Sequence, residues 1–225
     1  MESVTVFVEI GKKKTFVGAL DWPGWCRSGR DENTALQALI DYGPRYAQVL
    51  QPAKFDFLIP HDPSDLVVVE RQAGNATTDF GAPAILLDAD RGSINPKDFE
   101  CFISLLSTCW QAFDLVVKHA ANRELRKGPR GGGRDFEEIM RHVLEADHAY
   151  LRRLAWKSTI EAEQNLEDQL QQTREEILKA LQAAARGELP DQGPRGGVVW
   201  PLRFFVRRVA WHVLDHAWEI EDRME

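Results

Sequence analysis

The sequence predicts an α+β protein in which a small N-terminal α+β module precedes an all-α four-helix bundle. Short runs rich in β-branched and aromatic residues occupy the first third of the chain, whereas apolar residues recur at helical spacing from Asn95 onward. The segment between them is rich in Gly, Ala, Pro and Asp. We therefore divide the 225 residues into a module at 1–75, a linker at 76–94 with one docking strand at 84–87, and a bundle at 95–225.

The N-terminal module is predicted to form a β-β-(β)-α-β layer. Residues 4–10 and 15–22 have strand composition, and the hairpin loop Gly11-Lys12-Lys13-Lys14 separates them. Asp31 is a good N-cap for the helix that follows. Residues 65–70 form another β-branched run that completes the layer.

This N-terminal stretch resembles the HicB-like antitoxin domain, a partial ribonuclease-H-type fold. The resemblance covers about residues 3–70 and depends on the pattern formed by Asp21, Pro23, Gly24, Gly29 and the pair Ala35-Leu36. Members of that family often carry a DNA-binding segment after this domain, whereas a helical domain follows here. We therefore interpret the module as a small α+β accessory module, either for dimerisation or for covering the helical domain.

Four helices are predicted in the remainder of the chain. Their start signals are Asn95-Pro96, the capping box of Asp135 with Glu138, the capping box of Ser158 with Glu161, and Pro201. We expect residues 156–165 to be partly irregular and the third helix to begin late, near Leu166. This connection is expected to cross over, so that the second and fourth helices run antiparallel.

Three histidines form the candidate metal site. His212 and His216 are four residues apart and lie on one face of the last helix, along the edge of its apolar stripe. A site of this kind needs a third ligand from another helix. His142 flanks the apolar stripe of the second helix beside small residues, whereas His148 points away from that stripe. The predicted metal ligands are therefore His142, His212 and His216.

This half of the chain resembles the DinB/YfiT family of metal-binding four-helix bundles. The likeness covers about residues 95–225 and is carried by residues 141–154 and by Trp211-His212-x-x-x-His216. It implies a divalent metal, usually zinc or nickel, held by three histidines with water at an open position. It also implies a relation to enzymes that use a low-molecular-weight thiol, including thiol S-transferases and a mycothiol-dependent maleylpyruvate isomerase.

Several functions remain open at this point. The first is a metal-dependent thiol transferase or hydrolase-like enzyme that acts on a small molecule. The second is a non-catalytic metal-binding stress-response or interaction scaffold. A di-iron carboxylate bundle would need paired Glu-x-x-His motifs, and only Glu145 and His148 fit that pattern.

Composition restricts the class of binding partner and the cellular compartment that we expect for the protein. The net charge of −7 argues against general nucleic-acid binding, and we see neither a signal peptide nor a continuous apolar run of membrane-spanning length. The three cysteines, Cys26, Cys101 and Cys109, have no metal-binding spacing. We interpret them as reduced core thiols of a cytoplasmic protein.

Residues around the histidine pair give three further expectations. Asp215 and Glu219 flank the pair and either orient an imidazole or face solvent. Trp211 and Trp218 share a face of the last helix, which we expect to pack on the N-terminal module or on a second subunit of a symmetric dimer. The alternative is that this helix is central in the bundle and buried nearly all round. The basic connection at 122–134 is either a solvated loop or a grip for a phosphate or carboxylate group of a ligand.

Overall fold

The computed structural model describes residues 3–121, 123–127, 133–158, 165–193 and 197–224. This part of the chain forms four strands and seven α-helices. They are β1 (Val4–Ile10), β2 (Thr15–Ala19), β3 (Cys26–Gly29), α1 (Glu32–Asp41), α2 (Gly43–Leu50), β4 (Leu66–Ala73), α3 (Ala76–Phe80), α4 (Pro96–Ala120), α5 (Phe136–Leu151), α6 (Leu166–Ala185) and α7 (Leu202–Arg223). The α+β class is confirmed: a small N-terminal sheet is followed by a helical C-terminal part.

The four strands form one sheet in the order β3-β2-β1-β4. The β1–β2 hairpin is antiparallel, as the short Gly11–Lys14 loop predicts, and β3 pairs antiparallel with β2. β4 instead runs parallel to β1, because α1 and α2 lie between β3 and β4 and carry the chain across. The predicted strand at 65–70 is therefore confirmed as β4.

Local capping signals set most helix starts. Asp31 caps α1, Asn95 caps α4, and Asp135 forms the predicted capping box with Glu138 at the start of α5. Asn165 caps α6, so the third long helix begins at Leu166 as expected. The predicted box of Ser158 with Glu161, and the irregularity expected at 156–165, fall largely on residues 159–164, outside the described residues.

The segment at 76–94 packs against both the sheet and α7. Glu9 of β1 is fully buried, and its carboxylate accepts hydrogen bonds from the Thr78 hydroxyl and from the backbone N–H groups of Ala84 and Ile85. Leu87 is also fully buried. The prediction of a strand at 84–87 was wrong: this run is irregular, and side-chain burial and the Glu9 carboxylate hold it in place instead of strand pairing.

α7 is buried on most of its surface and joins the two halves of the molecule. One connected core includes Val6 and Val8 of the sheet, Leu39 of α1, and apolar residues of α4, α5, α6 and α7. Along α7, most positions from Phe204 to Trp218 are buried. This helix therefore has no wide solvent-facing side.

The two tryptophans of α7 contact the N-terminal module, as expected for that face, and α7 is also buried on most of its surface, as the alternative expected. Trp218 meets the ring of Tyr42 at 5.1 Å between centroids, and Trp211 meets Phe16 edge-on at 6.0 Å. Arg27 stacks over the Tyr42 ring at 3.9 Å. These contacts place the sheet and the junction between α1 and α2 directly against the helix that carries two of the three histidines.

α4 (Pro96–Ala120) is the one helix in the described part of the chain that is long and apolar enough to cross a membrane by length and composition. Half of its apolar window is buried inside the protein, where α4 packs along α7. Such burial is typical of the core helix of a soluble protein. The finding is therefore consistent with a soluble protein.

Asp147 on α5 is a buried carboxyl group whose protonation should control stability. The side chain is 1% exposed, and neither carboxylate oxygen has a hydrogen-bond partner among the described residues. Burial raises the pKa of Asp147 from 3.8 to about 7, although the nearby charge of Arg174 opposes this rise. The folded protein thus favours the neutral acid over a pH range in which the unfolded chain is ionised.

We expect the substitution Asp147→Asn to stabilise the protein more at pH 8 than at pH 5. The stability gained from the raised pKa is fully present below pH 3.8 and is lost as the pH rises through about 7, by at most about 4 kcal/mol. Because asparagine does not titrate, the difference in unfolding free energy between variant and wild type should grow with pH. Urea unfolding of both proteins at pH 5, 6.5 and 8 measures it, and a difference independent of pH would contradict the prediction.

Candidate metal centre

The structure brings His142 of α5 together with His212 and His216 of α7. One ligand nitrogen from each imidazole lies within 4.8 Å of the other two. Nε2 of His142 and Nε2 of His212 are 3.3 Å apart. The three rings also contact one another, with centroids 4.6–5.1 Å apart.

Opposite helix directions bring the histidines to the same depth in the bundle. The Trp200 N–H, just before α7, donates to the carbonyl of Arg153 beyond the end of α5. At the other end, the Arg223 guanidinium donates to the carbonyl of Arg134, just before α5 begins. α5 and α7 therefore run antiparallel, as predicted, and the middle of one helix faces the middle of the other.

Burial favours neutral imidazoles in this cluster. The side chain of His212 is buried, and its pKa is lowered well below the usual histidine value, first by burial and then by the nearby His216 and Arg208. His142 is only partly buried, and its pKa is lowered by the same causes, burial first and then His216. Neutral imidazole nitrogens are metal ligands, so the protonation that the fold imposes suits metal binding.

A chain of hydrogen bonds fixes the ring of His216. Its Nδ1 lies 2.8 Å from Oε2 of Glu219, and Oε1 of Glu219 accepts a bond of 2.7 Å from Arg223. The bond from His216 is the main cause of the lowered pKa of Glu219. When Nδ1–H donates to the carboxylate, Nε2 is left unprotonated and free to bind an ion, which is the usual role of a carboxylate beside a ligating histidine.

Asp215 and Glu219, which the sequence left open between two roles, differ in the structure. Glu219 orients His216, whereas the Asp215 carboxylate binds Arg27 of β3 at 2.9 Å. Asp215 therefore ties α7 to the N-terminal module. His148 is not part of the cluster: its Nε2 lies 3.0 Å from the Thr173 hydroxyl of α6, so it links two helices.

The arrangement fits a divalent metal. Zinc–nitrogen bonds of about 2.0–2.1 Å at tetrahedral angles place two ligand nitrogens about 3.3 Å apart, which is also the distance between His142 and His212. The two rings are therefore already near the spacing that an ion needs. Nδ1 of His212 is buried and has no hydrogen-bond partner among the described residues. Three histidines from two rigid helices are enough for a site with one open position.

Arg223 lies outside the histidine cluster and contacts it through Glu219. It was not predicted from the sequence as part of the site. Besides Glu219, it donates to the backbone carbonyls of Arg126 and Arg134, which both belong to the basic connection. Its spacing of four residues from Glu219 is the signal that predicts their ion pair on a helix. The contacts with Arg126 and Arg134 carry no local signal, because those residues lie 97 and 89 positions away.

In comparisons with known proteins, no family model, no curated protein and no solved structure matches the chain. The fold and the site by themselves define the class. The chain is an α+β protein whose described part carries a buried three-histidine cluster of metal-binding size.

Proposed function

We propose that the protein binds one divalent metal ion, zinc or nickel, through Nε2 atoms of His142, His212 and His216, and that it is a DinB-like protein with a HicB-like N-terminal module. The observation that supports this most directly is the convergence of three ligand nitrogens within 4.8 Å. The bonded carboxylate of Glu219 supports it further, since such a partner raises the basicity of a ligating imidazole.

The best-supported activity is that of a metal-dependent thiol transferase or hydrolase-like enzyme acting on a small molecule. A bound ion would supply Lewis-acid chemistry and lower the pKa of a thiol or water at its open position. His212 and His216 are buried and form the solvent-inaccessible side of the site, whereas His142 is partly exposed. A small substrate or a low-molecular-weight thiol can therefore approach from the side of His142.

A non-catalytic metal-binding stress-response or interaction scaffold is the second candidate. It is favoured by the close ring packing around His212, whose centroid lies 5.7 Å from Tyr150 and 6.0 Å from Trp211. This packing limits the space beside the ligand. For both candidate functions we place the protein in the cytoplasm, where the free cysteines Cys26, Cys101 and Cys109 would remain reduced.

Metal analysis tests the proposal. Protein purified without a nickel column should contain about one divalent ion per chain, or should bind one zinc or nickel ion in a calorimetric titration of metal-free protein. Turnover with a thiol and an electrophilic acceptor, present with metal and absent without it, would separate the enzyme from the scaffold. Protein that neither carries nor takes up an ion would contradict the proposal.

Chelation is expected to leave the protein folded. The core connects the sheet and four long helices through residues such as Leu105, Ile177 and Val213, none of which depends on the histidines for burial. We expect the helical circular dichroism to be unchanged after metal removal by EDTA and dialysis. Only the bound ion's contribution to the melting temperature should be lost. Global unfolding by EDTA at 25 °C would show that the metal is needed for folding.

A further inference from the structure

A cavity of about 420 Å³ lies between residues 123–127, the start of α5 and the C-terminal end of α7, and none of the three histidines lines it. Its cationic walls are Arg123, Lys127, Arg134 and Arg223. We call it the basic pocket. Phe136 in the first turn of α5 also lines it, six residues before His142. Arg223 follows His216 by seven residues, so the pocket begins about 9–10 Å along the helices from the histidines.

Three of the four cationic side chains that line the basic pocket have no partner among the described residues. The Arg223 guanidinium is occupied by Glu219 and two backbone carbonyls. The side chains of Arg123, Lys127 and Arg134 have no hydrogen-bond or ion-pair partner among the described residues.

The carboxylates of the pocket balance these cations only in part. Asp135 caps α5 by accepting from the Glu138 N–H, and Glu137 pairs with Arg141 outside the pocket. Glu124 is then the one lining carboxylate without a partner in the described part of the chain. The pocket therefore keeps an excess of positive charge that can attract an anion.

Arg134 connects the pocket with the histidines. It directly precedes Asp135, the N-cap of α5, eight residues ahead of His142. Its carbonyl accepts a bond of 2.7 Å from Arg223, which also holds Glu219 and, through it, His216. The contacts of Arg223 and Glu219 that orient His216 thus also position Arg134, which lines the basic pocket.

Resting on the metal site proposed above, we propose that the basic pocket binds the carboxylate or phosphate group of the ligand whose other end reaches the metal. The ligand class is then a small molecule about 10 Å long with an anionic group at the end remote from the reacting group. Arg134, with Lys127 and Arg123, supplies charge-assisted hydrogen bonds to that group. These residues are binding residues and take no part in holding the ion.

Dicarboxylates of increasing length test the spacing. On zinc-loaded full-length protein, calorimetric affinities are compared for butyrate, succinate, adipate and suberate. We expect the acid whose carboxylates span about 8–10 Å to bind about tenfold more tightly than butyrate, since it engages both sites. Arg134→Gln should remove that gain, whereas the matched control Arg152→Gln, an exposed arginine beyond the opposite end of α5, should retain it.

Inorganic phosphate on metal-free protein tests the pocket separately from the metal. Phosphate should bind with an affinity that falls with added salt, and Arg134→Gln or Lys127→Gln should weaken it about fivefold. If Arg134→Gln changes neither phosphate affinity nor the length preference, the inference is overturned, whatever the metal content. If the wild type binds no metal but phosphate binding still depends on Arg134, the pocket stands and the proposed metal function fails.

Discussion

Replacing His212 with alanine is expected to abolish stoichiometric metal binding while the protein remains folded. His212 is one of the two buried members of the cluster, and its Nε2 lies 3.3 Å from that of His142. Removing it leaves two imidazoles, too few for a stable site of this kind, so metal affinity should fall by more than about 100-fold, beyond the loss seen for outer partners. The same loss is expected for His216→Ala. Metal content per chain and calorimetric zinc affinity measure it.

His148→Ala is the matched control for this experiment. His148 is on the same helix as His142 but contacts Thr173 of α6 and lies outside the cluster. The His148→Ala variant should keep full metal content and lose at most a small part of its stability. Full metal content in both His212→Ala and His216→Ala, with unchanged circular dichroism, would exclude the site.

Glu219→Gln should give a smaller effect than the loss of a ligand. Glutamine keeps the size of the side chain but removes the charge that His216 and Arg223 both contact. Metal affinity is expected to fall about 10–100-fold, the range found when the carboxylate partner of a ligating histidine is lost. Zinc affinity measured by competition with a chelator tests this, and an affinity equal to wild type would mean that Glu219 does not support the ligand.

Features with a local physical cause could be predicted from the sequence. Caps such as Asp31 and Asp135 act within three residues, and the spacing of His212 and His216 fixes their common helix face. His142 could also be selected, because the edge of an apolar stripe marks where a helix borders the core. All these inferences need only the periodicity of one element.

Long-range partners could not be predicted. The sequence gives Asp215 and Glu219 similar positions beside the histidines, and only the placement of Arg27, 188 residues away, separates their roles. The same holds for Leu87, whose burial depends on a sheet that lies earlier in the chain. An apolar run in a Gly- and Pro-rich segment therefore looked like a strand, although packing and the Glu9 carboxylate hold it.

The buried ion pair of Asp90 and Arg207 is the second feature for which we expect a large effect. Asp90 lies in a short 3-10 turn, and its side chain and that of Arg207 on α7 are 3% and 6% exposed. The Asp90 carboxylate accepts two bonds from the guanidinium, at 2.5 and 3.3 Å, and one from the Leu87 N–H. The cation also stacks over the ring of Phe7 at 4.5 Å. One residue pair thus joins the 76–94 segment, the sheet and α7.

Asp90→Ala is expected to lower the free energy of unfolding by about 3–5 kcal/mol, because it leaves the Arg207 guanidinium buried without its counter-charge. The double variant Asp90→Ala/Arg207→Met should be less destabilised than this single variant, since no buried charge is left and methionine retains much of the packing.

Urea unfolding of the wild type, both single variants and the double variant gives the coupling energy. Glu188→Ala, which breaks an exposed pair with Arg186, is the control and should unfold like the wild type. If the double variant is as unstable as the sum of the two single changes, the pair contributes no coupling, and other contacts, such as the bond from Arg208 to the Pro83 carbonyl, join α7 to the 76–94 segment.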